Sequence, residues 1–161
     1  MIGYPGAGKS TVANFIQDQT GAIHLMADQE RHKMFEDPTH SETESQSLYN
    51  ELNKRTEELL SQGYSVVFDT NFNFYADRQK LRAIADKYNA ETIVVWVIID
   101  KDLARTRAVH TEYIRNGYSA SMSEELFNKI VEKLEAPTKD EKVIKIDGTK
   151  LDRNEVIALL K

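Results

Sequence analysis

The chain contains no cysteine, which excludes disulfide frameworks, thiolate metal sites and cysteine nucleophiles together. A reducing cytoplasm is the expected compartment, for a bacterial or phage-encoded protein. No apolar run approaches the about 18 residues that a membrane-spanning helix requires. The first residues also lack the basic flank, apolar stretch and cleavage site of a secretory leader, so a soluble, non-secreted protein is expected. Basic residues are in deficit too. Lys and Arg number 21 against 26 Asp and Glu, a net charge of −5, and the field of the whole molecule does not attract nucleic acid. Any basic surface must be local, and the segment with Lys101, Arg105, Arg107, His110 and Arg115 is where it gathers. Internal repeats and low-complexity tracts are missing as well.

What remains is an ordinary globular composition. Apolar residues make up 40% and charged residues 29% of 161, enough to build one cored domain without covalent or metal staples. Apolar periodicity places a helix over 9–19, with Val12, Phe15 and Ile16 on one face and Gly21 closing it. A short strand over 22–27 follows, then a helical turn from Asp28 that Pro38 ends. The polar stretch 39–46 leads to a long helix ending near Gln62, striped by Leu48, Leu52, Leu59 and Leu60. Residues 64–69 read as a strand buried on both faces, 75–88 as a helix, and 92–99, rich in Ile and Val, as a central strand. A polar helix over 101–115, a helix capped by Ser121-Met122-Ser123-Glu124, a strand over 142–146 and a helix over 152–160 complete the chain. Alternating strands and helices imply a parallel sheet covered on both faces, with the ligand site at the carboxyl ends of the strands.

The most specific motif is the run Gly3-Tyr4-Pro5-Gly6-Ala7-Gly8-Lys9-Ser10, followed by Thr11. Its spacing is Gly-x-x-x-x-Gly-Lys-Ser/Thr, in which glycines allow backbone N–H groups to turn inward around phosphate oxygens. Lys9 would reach the β and γ phosphates of a nucleoside triphosphate, Ser10 would ligate Mg²⁺, and the helix N-terminus adds partial positive charge. Such a loop normally follows a buried strand, yet only Met1 and Ile2 precede Gly3. The first strand is therefore expected to be truncated, leaving its neighbours with unpaired backbone groups.

Two further groups stand at predicted strand ends. In Asp28-Gln29-Glu30-Arg31 the carboxylate can take a proton from an attacking hydroxyl, while Arg31, on the same helical face, can hold an anionic group of an acceptor. In Asp69-Thr70-Asn71 the acid is placed to support Mg²⁺ and its waters. Taken alone, each of these acids is equally well explained as a helix or turn cap.

Together, the loop at 3–11, Asp-x-x-Arg at 28–31, Asp-Thr-Asn-x-Asn at 69–73 and the arginine-bearing segment after the 92–99 strand resemble the bacteriophage polynucleotide 5′-hydroxyl kinases and their zeta-toxin-like P-loop kinase relatives. The resemblance implies an α/β P-loop fold, an adenylate-kinase-like three-layer sandwich in one domain over 1–161, with 100–121 as a lid. It implies ATP and Mg²⁺ as cofactors, Asp28 as general base, Arg31 on an acceptor phosphate, Asn71 among the acceptor contacts and Asp69 near the metal. Of the lid arginines, Arg107 is favoured to contact the transferred phosphate, with Arg105 and Arg115 as alternates, since the family pair lies four apart and none here does. The acceptor expected first is the 5′-hydroxyl of a polynucleotide. A small-molecule kinase acting on a sugar, nucleoside or antibiotic is the alternative, and an ATP-binding switch the third reading.

Other conspicuous residues read as ordinary. Trp96 is expected in the core, His24, His32, His40 and His110 lack metal spacing, and Arg78 and Arg82 are expected on a solvated helix face. Tyr113 and Tyr118 are weaker candidates for base stacking.

Overall fold

The computed structural model describes residues 1–110 and 122–160 in full, and of 111–121 only the backbone at 114–115 and 118–119. Helices and strands alternate through most of the chain: α1 (Lys9–Thr20), β1 (Ile23–Met26), α2 (Ala27–Met34), α3 (Glu42–Ser61), β2 (Val66–Asp69), α4 (Tyr75–Lys87), β3 (Val94–Ile98), α5 (Lys101–Val109), β4 (Ile114–Arg115), β5 (Tyr118–Ser119), α6 (Glu124–Glu132), β6 (Val143–Asp147) and α7 (Arg153–Leu159). β1 pairs with β2 and β3 with β6, both in parallel, while β4 and β5 form a two-residue antiparallel pair.

Met1 and Ile2 join the two parallel pairs. The Met1 amino group donates to Phe68 O at 2.9 Å. Ile2 N donates to Val95 O and accepts from Val97 N through its own carbonyl, both at 2.9 Å. Met1 and Ile2 thus lie where the first strand was expected to run, between β2 and β3, with Ile2 fully buried. Next to them, toward the amino ends of β2 and β3, lies a cavity of about 570 Å³ lined by Val66, Phe68, Val94 and Val95 among others.

The layers follow from the period of two along a strand. Val67 packs with Ala13 of α1 on one face, while its neighbour Phe68 packs with Leu48 and Leu52 of α3 on the other. On β3, Val95 and Val97 join Val12, Ala104, Phe127 and Val156. α1, α5, α6 and α7 therefore cover one side and α3 the other. Trp96, between those two valines, is only half-buried and lies beneath the Lys145 ammonium, 5.4 Å from its ring centre. It belongs to the half-exposed face of the strand and not to the core.

Several boundaries differ from the sequence reading for local reasons. α3 begins at Glu42 and not after Gln46, because the Ser41 hydroxyl caps it by accepting from Glu44 N. α5 stops at Val109, short of the helix expected over 101–115. The cap of α6 is Ser123, accepting from Leu126 N, two residues beyond Ser121, the serine that opens the proposed box. Arg78 is not a solvated charge: it is 5% exposed and bonds both oxygens of Glu141, at 2.7 and 3.0 Å. Arg82 bonds Asp140 at the surface.

Candidate active site

The loop between Ile2 and α1 holds its shape through glycines that no other residue would replace. Gly6 has φ +80°, and a Cβ there would stand 2.3 Å from Ala104 O. Gly8 caps α1 at φ 97° and offers no side-chain cap, so the first N–H groups of α1 are left for an anion. Lys9 is buried, and its Nζ donates to Gly3 O and Tyr4 O at 3.0 Å each. The ammonium is therefore held directly over the loop.

β1 and β2 deliver the remaining groups, because their carboxyl ends open on the same cavity as the loop. That cavity measures about 820 Å³ and is lined by Gly8, Lys9, Ser10, Thr11, Asp28, Arg31, Asp69, Asn71 and Arg107, among others. Its size suits a nucleotide together with a small second ligand.

Asp69 terminates β2 and is 4% exposed. Burial alone would raise its carboxyl pKa, but hydrogen bonds from His24 and Ser10 and the charge of Lys9 outweigh that and hold it below the usual carboxylate range. His24 Nε2 lies 3.0 Å from Asp69 Oδ2, and its Nδ1 3.2 Å from Asn14 Oδ1. Among the described residues no three acidic or histidine side chains form a metal cage. Ser10 bonded to an ionised Asp69 fits Mg²⁺ nonetheless, since that ion keeps several waters and takes one or two protein ligands beside phosphate oxygens.

On the acceptor side, Asp28 is the second residue of α2 and exposed, and its carbonyl accepts from His32 Nδ1 at 2.8 Å. Arg31 lines the cavity and is also bonded within the protein. It is 8% exposed, its NH1 donates to Glu44 Oε1 and its NH2 lies 3.4 Å from Ser45 Oγ. The second Glu44 oxygen accepts from Thr39 N and Oγ1 at 2.7 and 2.8 Å. Burial would raise the Glu44 carboxyl; Arg31 and Thr39 reverse this and bring it down to about 2. His40, in the same loop, falls below its ordinary pKa through partial burial and the charge of Arg31. Tyr49 donates to or accepts from Thr70 Oγ1 at 2.7 Å.

Arg107, favoured as the lid arginine, lines the cavity but binds backbone: NH1 to Gly148 O at 2.7 Å and NH2 to Thr149 O at 3.1 Å. Arg105 pairs with Asp102 at the surface. The side chains of Tyr113, Arg115 and Tyr118 lie outside the described residues, as do those of the rest of 111–121 in the expected lid. In the Asp-Thr-Asn-x-Asn run, Asn71 reaches the cavity, whereas Asn73 is buried and donates to Ile130 O at 3.2 Å. That second asparagine ties the end of β2 to α6.

Sequence reasoning passed over His24 and Glu44. His24 carried no metal spacing, and its contact with Asp69 spans 45 residues. Glu44 did leave a signal, since Ser41-Glu42-Thr43-Glu44 has the Ser-x-x-Glu form of a helix start.

Comparison with known proteins places these features in context. One family model, described as an AAA domain, matches residues 1–137. No curated protein matches the sequence. Among solved structures, a gluconokinase from Sinorhizobium meliloti 1021 is similar with a TM-score of 0.70 and 21% identity, over 98% of this chain and 85% of that one. A sugar kinase from Janibacter sp. HTCC2649 gives 0.70 and 18%, over 98% and 87%. The APS kinase of Mycobacterium tuberculosis, solved with AMPPNP and APS, gives 0.65 and 17%, over 99% and 94%. The fold is the α/β fold of P-loop kinases.

Proposed function

The chain belongs to the AAA domain family, and from that premise we propose that it is an ATP-dependent kinase transferring the γ-phosphoryl group to a hydroxyl of a small molecule. The observation that carries the reading is one cavity in which the phosphate loop and Asp28 share the lining. A switch that only binds and hydrolyses nucleotide has no need of a carboxylate facing the loop from a separate element.

In this reading the acceptor hydroxyl attacks the γ-phosphorus while its proton passes to Asp28. A new oxygen–phosphorus bond forms as the bond to the β-phosphate oxygen breaks and ADP leaves. Lys9 and the first N–H groups of α1 neutralise charge on the phosphates. Ser10 and the Asp69 carboxylate would hold Mg²⁺, which would supply further neutralisation of the phosphates. His24 and Asn14 fix the Asp69 carboxylate.

A small acceptor is favoured over a polynucleotide end because Arg31, on which the grip of a strand phosphate would rest, is bonded to Glu44. The solved relatives named as gluconokinase, sugar kinase and APS kinase support the same choice. The test is ADP release by the purified protein with ATP and Mg²⁺, across neutral sugars, polyols, nucleosides, sugar acids and a 5′-hydroxyl oligonucleotide. Stimulation by one or more small compounds is expected. Stimulation by the oligonucleotide alone, or release indifferent to every acceptor, would overturn the reading.

A further inference from the structure

Resting on the small-molecule kinase reading, we infer that His40 is an acceptor-binding residue, and that Glu44, which does not reach the cavity, is the positioning residue that holds it there. Arg31 and His40 are among the residues that line the cavity, and Glu44, 7% exposed, is not. His40 has φ 55°, a left-handed backbone that a residue with a side chain keeps where its surroundings impose it.

What imposes it is the Glu44 carboxylate. Ser41 caps α3, and its hydroxyl accepts from Glu44 N at 3.3 Å. In a capping box the carboxylate three residues into the helix returns to the N–H of that cap. Glu44 reaches past it instead. Its Oε2 accepts from Thr39 N and Oγ1 at 2.7 and 2.8 Å, and its Oε1 from His40 N at 3.3 Å and from Arg31. Ser41 N is left to Thr39 Oγ1, 3.4 Å away. Capping of α3 does not call for this arrangement. Its effect is to draw residues 39 and 40 against Arg31 of α2 and to bring His40 to the cavity that Asp28 and the phosphate loop also line. Partial burial and the charge of Arg31 hold the imidazole below the ordinary histidine pKa. At pH 7 the ring is therefore neutral, with one N–H and one lone pair, and either can meet a hydroxyl of the acceptor.

The experiment takes an acceptor found by ADP release and measures its KM, the KM for ATP and kcat. His40→Ala is expected to raise the acceptor KM about 3- to 10-fold, the equivalent of one net hydrogen bond, with smaller changes in kcat and in the KM for ATP. Glu44→Gln sets an amide NH₂ against donors that now face a carboxylate oxygen, and is expected to raise the acceptor KM likewise. Introduced into His40→Ala it should add less than about twofold, because its effect passes through His40. Should Glu44→Gln fail to fold, Thr39→Ala, at an exposed position, loosens the same loop and takes its place in the cycle. An acceptor KM unmoved in His40→Ala, or a second substitution whose full effect multiplies onto it, would overturn the inference and leave the kinase reading standing. Absence of transfer to every compound by the wild-type protein would overturn both.

Discussion

Replacing Gly6 by alanine separates the two physical demands on the phosphate loop. Gly6 has φ +80°, and a Cβ there would lie 2.3 Å from Ala104 O and 3.2 Å from both Ala104 C and Ala108 N. These are backbone atoms of α5 and cannot rotate away, so α5 has to shift by about 1 Å to restore an ordinary contact near 3.5 Å. The left-handed backbone costs roughly 1–2 kcal/mol for alanine, and forcing a methyl into a packed site costs about 1–3 kcal/mol more. Gly21→Ala is the internal control, because Gly21 has φ +71° with nothing within 4 Å of the added Cβ. It should lose only the backbone term. Urea unfolding is expected to give a loss of about 2–5 kcal/mol for Gly6→Ala against about 1–2 kcal/mol for Gly21→Ala. Calorimetry is expected to find ATP binding weakened in the first variant alone. Equal losses with intact ATP binding in both would refute the steric argument for the loop.

Three other outcomes follow from the same geometry. His24→Ala is expected to raise the Mg²⁺ concentration for half-maximal ATP turnover by about 10- to 100-fold, with a smaller change in melting temperature; an unaltered Mg²⁺ requirement would deny His24 its positioning role. The Met1 amino group is lowered to about 6 from 8.0, chiefly by burial, so the folded state prefers it neutral while the unfolded chain binds a proton up to about pH 8. Stability measured in urea should therefore rise from pH 6 to pH 8 by up to roughly 2–3 kcal/mol, and fall again as pH drops through 6; a flat profile would contradict the burial of that group. An engineered extension of about five apolar residues ahead of Met1, an ordinary strand length, is expected to fill the cavity between β2 and β3 and raise the melting temperature by several degrees, whereas a Gly-Ser extension of equal length should not.

The alternation of elements and the phosphate loop were legible because both rest on local signals. Glycine spacing marks a turn, and apolar periodicity marks each helix and strand with little reference to distant residues. Trp96 shows the limit of that logic: a strand of valines suggested a buried ring, but the period of two turns it to the opposite face from Val95 and Val97. The acceptor side was half legible. Asp28 and Asp69 line the cavity, as expected of acids at strand ends, which open on the cleft of a parallel sheet. Arg78 was misjudged, and the partners of Arg31 and Arg107 within the protein went unseen, because those partners lie far away in sequence: Glu141 at 63 residues, Glu44 at 13 and Gly148 at 41. No periodicity records such a partner, and an arginine reads alike in sequence whether it faces water, a carboxylate or a carbonyl. Only the packing of α2 on α3 decides that Arg31 is matched.

The central claim is that the phosphate loop and Asp28 form one kinase site, and the rate of label transfer from γ-labelled ATP in Asp28→Asn tests it most directly. Once an accepting small molecule is in hand, the variant is expected to bind ATP as tightly as wild type by calorimetry. Its transfer should fall by about 10²- to 10⁴-fold, the usual contribution of a general base. Transfer at the wild-type rate by a folded, ATP-binding Asp28→Asn protein would contradict the account.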